Sequence, residues 1–126
     1  MGIKKILIID DAATDREMLK NRLRAQGYDI IMASDGGKGI VMARTELPDL
    51  ILMDVVMPGV NGFEATRTLS RDSVTRHIPI IICSNKIQAS DKAWGLRQGA
   101  HAYFFKPVVA QQLLDTIAAL GQAGSA

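Results

Sequence analysis

The stretch "LILMDVVMPGVNG", residues 50–62, decides the fold because it joins a buried strand to a charged turn. Residues 50–53 are all apolar, which is typical of a parallel strand covered by helices on both faces. The run ends at Asp54, and Pro58 and Gly59 then break the chain. A carboxylate is expensive to bury without a partner. The sequence therefore raises the question of which groups lie near Asp54.

Five apolar runs of strand length alternate with segments of helical spacing. The predicted strands cover residues 5–9, 29–33, 49–53, 78–83 and 102–105. Helices are predicted near residues 14–27, 37–46, 62–70, 90–99 and 109–120, the first opening on a capping box of Thr14 and Glu17. This alternation predicts a flavodoxin-like α/β/α sandwich with a parallel sheet in the order 2-1-3-4-5.

Composition and length set the class of protein. A chain of 126 residues suits one domain, predicted at residues 1–121, with a disordered tail at 122–126. The net charge of +2, without a basic block, argues against a nucleic-acid partner. Cys83 is the single cysteine, which excludes an intrachain disulfide and a cysteine metal cluster. With no membrane-length apolar run and no signal-peptide core, we expect a cytoplasmic protein without membrane contact.

Polar side chains follow the strands at one edge of the predicted sheet. Asp10 and Asp11 end the first strand, Asp54 the third, Ser84 the fourth and Lys106 the fifth. Ligands bind beyond the carboxyl ends of parallel strands, near the point where the strand order reverses. We therefore expect three carboxylates, a hydroxyl and an ammonium group to converge.

Three neighbouring carboxylates repel one another unless positive charge holds them. Lys106 supplies one such charge, and a divalent cation bound by oxygen ligands, Mg²⁺, fits the remainder. Asp54 then becomes a nucleophile for a phosphoryl group, and an acyl phosphate is the predicted product. Taken singly, the aspartates also fit a helix start or an Asx turn, and Lys106 fits a solvated lysine.

The motifs "IIDD" at 8–11, "LMDVVMPGVNG" at 52–62, "CSN" at 83–85 and "YFFKP" at 103–107 together resemble the CheY-like receiver domain of bacterial two-component response regulators. The resemblance covers residues 4–120. "MPGVNGFEATRTL" at 57–69 and "DKAWGLRQGA" at 91–100 are similar to single-domain regulators of the PilH type, which act in type IV pilus twitching motility and pilus-based taxis.

The resemblance implies a role for each site residue. Asp54 would be the phospho-acceptor, and Asp11 would bind Mg²⁺ directly. Asp10 would act directly or through water, and the backbone carbonyl of Val56 would be a further ligand. An apolar Val56 side chain cannot orient a hydrolytic water, so slow self-dephosphorylation is expected.

The resemblance also implies a switch. Ser84 would be the hydroxyl that moves toward the phosphoryl group, Lys106 would pair with that group, and Tyr103 would change rotamer with the switch. The peptide bond between Lys106 and Pro107 is expected to be cis. Asn85 is larger than the small residue usual after the switch hydroxyl and would crowd the pocket.

The resemblance implies a phosphorylation-dependent protein-interaction switch rather than an enzyme acting on other substrates. A histidine kinase would be the phosphodonor, and the protein would be a monomer or weak dimer. A downstream protein would bind the face of helix 4, strand 5 and helix 5, with Trp94, Tyr103 and Gln111; Trp94 packing against a neighbouring helix is the alternative.

Other functions fit parts of the same sequence. A phosphate sink for a sister regulator fits the same motifs. A small aspartyl-phosphate phosphatase would need an aspartate at Val56, and "DGGKG" at 35–39 fits no nucleotide-binding loop. For helix 4, a buried stripe of Ala89, Ala93, Leu96 and Ala100 is predicted.

Overall fold

The computed structural model describes residues 2–124, in which five strands alternate with five helices. The strands are β1 (Lys5–Ile9), β2 (Asp29–Ala33), β3 (Leu50–Met53), β4 (Ile80–Ser84) and β5 (Ala102–Phe105). The helices are α1 (Ala13–Arg24), α2 (Gly36–Glu46), α3 (Gly62–Arg71), α4 (Ala89–Arg97) and α5 (Ala110–Gly124). Among these described residues, no helix combines the length and the apolar character that a bilayer span requires.

The sheet is parallel throughout and has the strand order β2-β1-β3-β4-β5, which confirms the predicted topology. β1 lies between β2 and β3, with Ile9 opposite both Ala33 and Met53. The order reverses beside β1, so the strand-end edge near β1 and β3 is where a ligand site is expected.

Two apolar layers cover the sheet, one on each face. In β1, Leu7 and Ile9 belong to the layer that includes residues of α2 and α3, whereas Ile6 and Ile8 belong to the layer with α1 and α5. Side chains alternate between faces along a strand, so a strand buried on both faces must be apolar at every position. Each such buried Leu or Ile contributes about 1.5–3 kcal/mol. The thiol of Cys83 lies in the second layer, where burial raises its pKa to about 12.

Several predicted boundaries differ from the structure by a few residues, and the starts of β4 and α1 have a physical reason. β4 begins at Ile80 rather than 78 because Pro79 has no N–H for the ladder, although its carbonyl accepts from the Ile51 amide at 3.0 Å. The capping box at Thr14 is absent: α1 begins at Ala13 with Ala12 as its N-cap, so Thr14 lies inside the first turn. Asp10 instead caps the loop, its Oδ1 accepting from the Ala12 amide at 2.9 Å.

The predicted buried stripe of α4 was confirmed at Ala100 but wrong at its other three residues. Ala89, Ala93 and Leu96 are exposed, and within the helix itself Gly95 is the buried residue. The reason is close approach: a Cβ on Gly95 would lie 2.7 Å from the Tyr103 ring, so only glycine lets the helix sit against β5 there.

The predicted boundary between domain and tail, after residue 121, falls inside α5, which continues to Gly124. Residues 125 and 126 of the predicted tail lie outside the described residues.

Candidate functional site

Three carboxylates meet at the carboxyl ends of β1 and β3. Asp10 and Asp11 follow β1, Asp54 follows β3, and one oxygen from each lies within 4.8 Å of the others. Asp10 and Asp54 are buried, whereas Asp11 is exposed. Backbone bonds fix the two buried residues: the Asp54 amide donates to the Ile9 carbonyl at 2.9 Å, and the Asp10 amide donates to the Ala33 carbonyl at 3.1 Å.

Lys106 supplies the positive charge. It follows β5, where its amide donates to the Ser84 carbonyl at 2.8 Å, and its peptide bond to Pro107 is cis, as expected. The ammonium Nζ lies 2.8 Å from Asp10 Oδ2 and 3.5 Å from Asp54 Oδ1. Its side chain is only 11% exposed. The structure therefore brings together the strand-end charges that the sequence predicted would converge.

The environment of Asp54 disfavours its negative charge. Burial and, after it, the neighbouring Asp10 carboxylate raise the pKa of Asp54 to about 6, against the opposing attraction of Lys106. Burial alone would lower the pKa of Lys106, but its hydrogen bonds to Asp10 and Asp15 outweigh burial and raise that pKa above its ordinary value. Lys106 is thus an ammonium at neutral pH. Asp54 is mostly ionised at that pH, but its surroundings disfavour the negative charge.

The donor set fits a hard divalent cation. The three clustered groups offer only carboxylate oxygens, and neither histidine nor cysteine belongs to the cluster. Oxygen-only donor sets with few protein ligands suit Mg²⁺, which retains several waters. Both oxygens of Asp10 already accept hydrogen bonds, from the Ala12 amide and from Lys106. The exposed Asp11 and the carboxylate of Asp54 are therefore freer to bind a cation directly.

Ser84 and Tyr103 are joined through the backbone of Lys86. Ser84 is the last residue of β4 and is wholly buried, and its Oγ accepts from the Lys86 amide at 3.1 Å. The Tyr103 hydroxyl donates to the Lys86 carbonyl at 2.8 Å. Lys86 thus links the Ser84 hydroxyl at the end of β4 to the aromatic ring of Tyr103 on β5.

The predicted partner surface is only partly exposed. Trp94 is 47% exposed on α4, and Gln111 is exposed on α5 and donates to Asp115. Tyr103 was predicted on the same surface, but its ring is 5% exposed because it fills the space above Gly95. The half-exposed indole also argues against Trp94 being packed fully onto a neighbouring helix.

Sequence reasoning missed three residues at this site. Asp15 lies 2.7 Å from Lys106 Nζ, and Arg16 Nη1 donates to the Asp10 carbonyl at 2.6 Å. Phe105, 41% exposed, packs edge-on against Tyr103 with ring centroids 5.7 Å apart. An acid in the first turn of a helix is common for electrostatic reasons, so the sequence carried no distinct signal for Asp15.

Comparisons with known proteins show the family of the chain. A family model described as the response regulator receiver domain matches residues 6–118. Protein PilH of Pseudomonas aeruginosa is 49% identical over 116 residues, which covers 92% of this chain and 96% of PilH. Response regulator PleD of Caulobacter vibrioides is 38% identical over 82% of this chain, and the match spans 23% of PleD.

Solved structures share the same fold. Chemotaxis protein CheY4 of Vibrio cholerae superposes with a TM-score of 0.86 at 29% identity, covering 94% of this chain and 98% of that one. The receiver domain of Francisella response regulator 1452 gives a TM-score of 0.90 at 26% identity, covering 96% and 98%.

Proposed function

The chain belongs to the response regulator receiver domain family, and from that premise we propose that it is a phosphorylation-dependent protein-interaction switch. Asp54 is the proposed phospho-acceptor, and a histidine kinase is the proposed phosphodonor. The observation that carries the proposal is the buried Asp54 carboxylate held beside Asp10, Asp11 and the Lys106 ammonium. Residues 1–121 are the proposed receiver domain.

The chemistry is a displacement at phosphorus. A carboxylate oxygen of Asp54 forms the new O–P bond while the bond from phosphorus to the donor breaks and the donor keeps the electron pair. Catalysis of such transfers consists mainly of positioning and of neutralising charge on the transferred oxygens. Lys106 stands 3.5 Å from Asp54 Oδ1 and is the protein group that would neutralise one of them. Ser84 would donate to another after its hydroxyl reorients.

Mg²⁺ is the proposed cofactor. Asp11 and Asp54 would hold it directly, Asp10 directly or through water, and the Val56 carbonyl would complete the protein ligands. When bound, the ion would supply positive charge at the oxygens of the transferred group. The role of the protein residues is to hold Asp54 in place: the Asp54 amide is bonded to β1, and the Asp54 carbonyl lies against Gly62, where a Cβ would approach to 2.0 Å.

The switch runs from Ser84 to Tyr103. If Ser84 Oγ moves to donate to the phosphoryl group, the contact between Oγ and the Lys86 amide changes, and with it the carbonyl that holds the Tyr103 hydroxyl. The charge added at Asp54 would then shift the equilibrium between two arrangements of Ser84, Lys86 and Tyr103. Phe105, whose ring contacts Tyr103, and Trp94 on α4 are both exposed and would report that arrangement to a partner.

We propose that the pathway is type IV pilus twitching motility or pilus-based taxis, and the 49% identity to PilH supports this proposal. We propose a cytoplasmic monomer or weak dimer whose downstream target is a protein that contacts Trp94 and Gln111, and not a nucleic acid or a membrane. Its chemistry would be limited to its own phosphorylation and slow dephosphorylation, so it is not proposed as an enzyme acting on other substrates.

The test is phosphorylation by acetyl phosphate with Mg²⁺, followed by weighing the intact protein. Wild type should gain the mass of one phosphoryl group, and Asp54→Ala should gain none. Asp29→Asn is the matched control, because it removes an exposed carboxylate from the edge strand β2. Full phosphorylation of Asp54→Ala, or none of wild type, would refute the assignment.

A further inference from the structure

Lys106 has more acidic partners than the proposed transfer needs. An ammonium group has three N–H donors. The Lys106 Nζ lies 2.8 Å from Asp10 Oδ2 and 2.7 Å from Asp15 Oδ2, whereas Asp54 Oδ1 is 3.5 Å away. In this arrangement the ammonium is held toward α1 and stands beyond strong hydrogen-bond distance of the group that receives the phosphoryl.

The two close partners differ in how firmly they are held. The Asp10 carboxylate is 3% exposed and also accepts a hydrogen bond from the Ala12 amide. Water therefore cannot reach Asp10 to take the place of Lys106. Asp15 is 31% exposed, and within residues 2–124 Lys106 is the partner its carboxylate contacts. Water can therefore replace Lys106 at Asp15 at low cost, but not at Asp10.

The position of Asp15 is nevertheless defined. It lies in the first turn of α1, and the guanidinium of the next residue, Arg16, bonds to the Asp10 carbonyl at 2.6 Å. This bond ties the start of α1 to the end of β1. Asp15, Lys106 and Asn85 also line one cavity, of about 360 Å³, between α1 and α5. Asp15 is thus placed beside the reaction site without contacting Asp54.

We infer that Asp15 is a positioning residue that competes with the phosphoryl group for the Lys106 ammonium. A phosphoryl group on Asp54 brings negative charge that needs this ammonium, and the exposed Asp15 is the partner that gives it up. Asp15 thereby opposes phosphorylation and favours the resting state. The inference rests on the proposed function and adds a residue that sets how readily the site accepts an anion.

The experiment titrates beryllium trifluoride, a tetrahedral phosphoryl mimic, into protein saturated with Mg²⁺, followed by ¹⁹F NMR. Asp15→Asn keeps the shape and removes the charge, and it should bind the anion about three- to tenfold more tightly than wild type. Asp15→Glu restores the charge and should bind within about twofold of wild type. Glu17→Gln is the matched control, since Glu17 lies on the same helix and pairs with Lys20 at 2.6 Å; its affinity should not change.

A second readout tests whether the effect passes through Lys106. Calorimetric titration of Mg²⁺ without the anion should show weaker binding by Asp15→Asn, because the released ammonium moves toward the other carboxylates. In a Lys106→Met background the same substitution should change Mg²⁺ affinity by less than about twofold. An equal loss in both backgrounds would show that the Asp15 charge acts directly, and would overturn the positioning role.

The outcomes separate the two proposals. If wild type binds beryllium trifluoride and Asp15→Asn binds it no more tightly, the inference on Asp15 is wrong and the proposed function stands. A residue with only a structural role would weaken anion binding when replaced, which is the opposite direction. If wild type binds no beryllium trifluoride in the presence of Mg²⁺, the proposed function fails, and the inference fails with it.

Discussion

Replacing Asp54 by asparagine should stabilise the folded protein at neutral pH when Mg²⁺ is removed by a chelator. Asp54 is 7% exposed and faces Asp10, and its pKa rises from 3.8 to about 6 on folding. The folded state therefore holds a proton more tightly than the unfolded state between these pH values. The stability associated with that proton is fully present below pH 3.8 and is lost as the pH rises through about 6.

The size of the effect follows from the pKa. A shift of one pKa unit corresponds to about 1.36 kcal/mol, so the ionised Asp54 costs the wild type about 3 kcal/mol above pH 7. Burying the polar asparagine amide itself costs about 1 kcal/mol, which offsets part of the gain from removing the charge. We therefore expect Asp54→Asn to raise the free energy of unfolding by about 2 kcal/mol at pH 7.5, and by much less near pH 4.

The assay is urea unfolding of wild type and Asp54→Asn in EDTA, followed by circular dichroism at several pH values. Asp29→Asn, which removes an exposed carboxylate, should change stability by less than about 0.5 kcal/mol at each pH. Added Mg²⁺ should stabilise wild type more than the variant, because the ion binds the folded state. A variant less stable than wild type at pH 7.5 in EDTA would show that the ionised Asp54 is not a net cost.

Three further predictions concern the switch and the phosphoryl lifetime. Tyr103→Phe removes the hydroxyl that donates to the Lys86 carbonyl at 2.8 Å. This change should lower the free energy of unfolding by about 1 kcal/mol. An unchanged urea midpoint would show that the hydrogen bond does not stabilise the fold. Gly95→Ala places a Cβ 2.7 Å from the Tyr103 ring; near-ultraviolet circular dichroism should show the ring displaced, with a loss of about 1–3 kcal/mol, and an unaltered spectrum would refute the close packing. Because the Val56 side chain cannot orient water, phosphorylated wild type should lose its phosphoryl group slowly and Val56→Asn faster by intact mass; a wild-type lifetime of seconds would contradict this.

Several features were predictable because a local pattern, or the order of elements along the chain, encodes them. The apolar runs around residues 5–9 and 50–53 have no polar alternation, and a strand covered on both faces requires that pattern. The convergence of Asp10, Asp54 and Lys106 was also predictable, because parallel strands place their carboxyl ends at one edge.

Other features were wrong in the sequence interpretation because they depend on partners far along the chain. Helical spacing predicted Leu96 and Ala93 as the buried face of α4, but the space that β5 leaves is filled by Tyr103, and the helix can approach only through Gly95. Thr14 and Glu17 have the spacing of a capping box, yet the helix begins at Ala13 because Asp10 already turns the loop at Ala12.

The sequence by itself determined the fold class, the strand order and the set of charges at the strand ends, since periodicity and connectivity are local or follow from chain order. Only the tertiary structure decided which of the carboxylates Lys106 contacts. Lys106 is 91 residues from Asp15 in sequence but 2.7 Å from it in space, and it stands closer to Asp15 than to Asp54. These hydrogen-bond distances are set by the packing of α1 against β1 and β2 and by the position of Lys106 just after β5, and no periodicity along the chain encodes that arrangement.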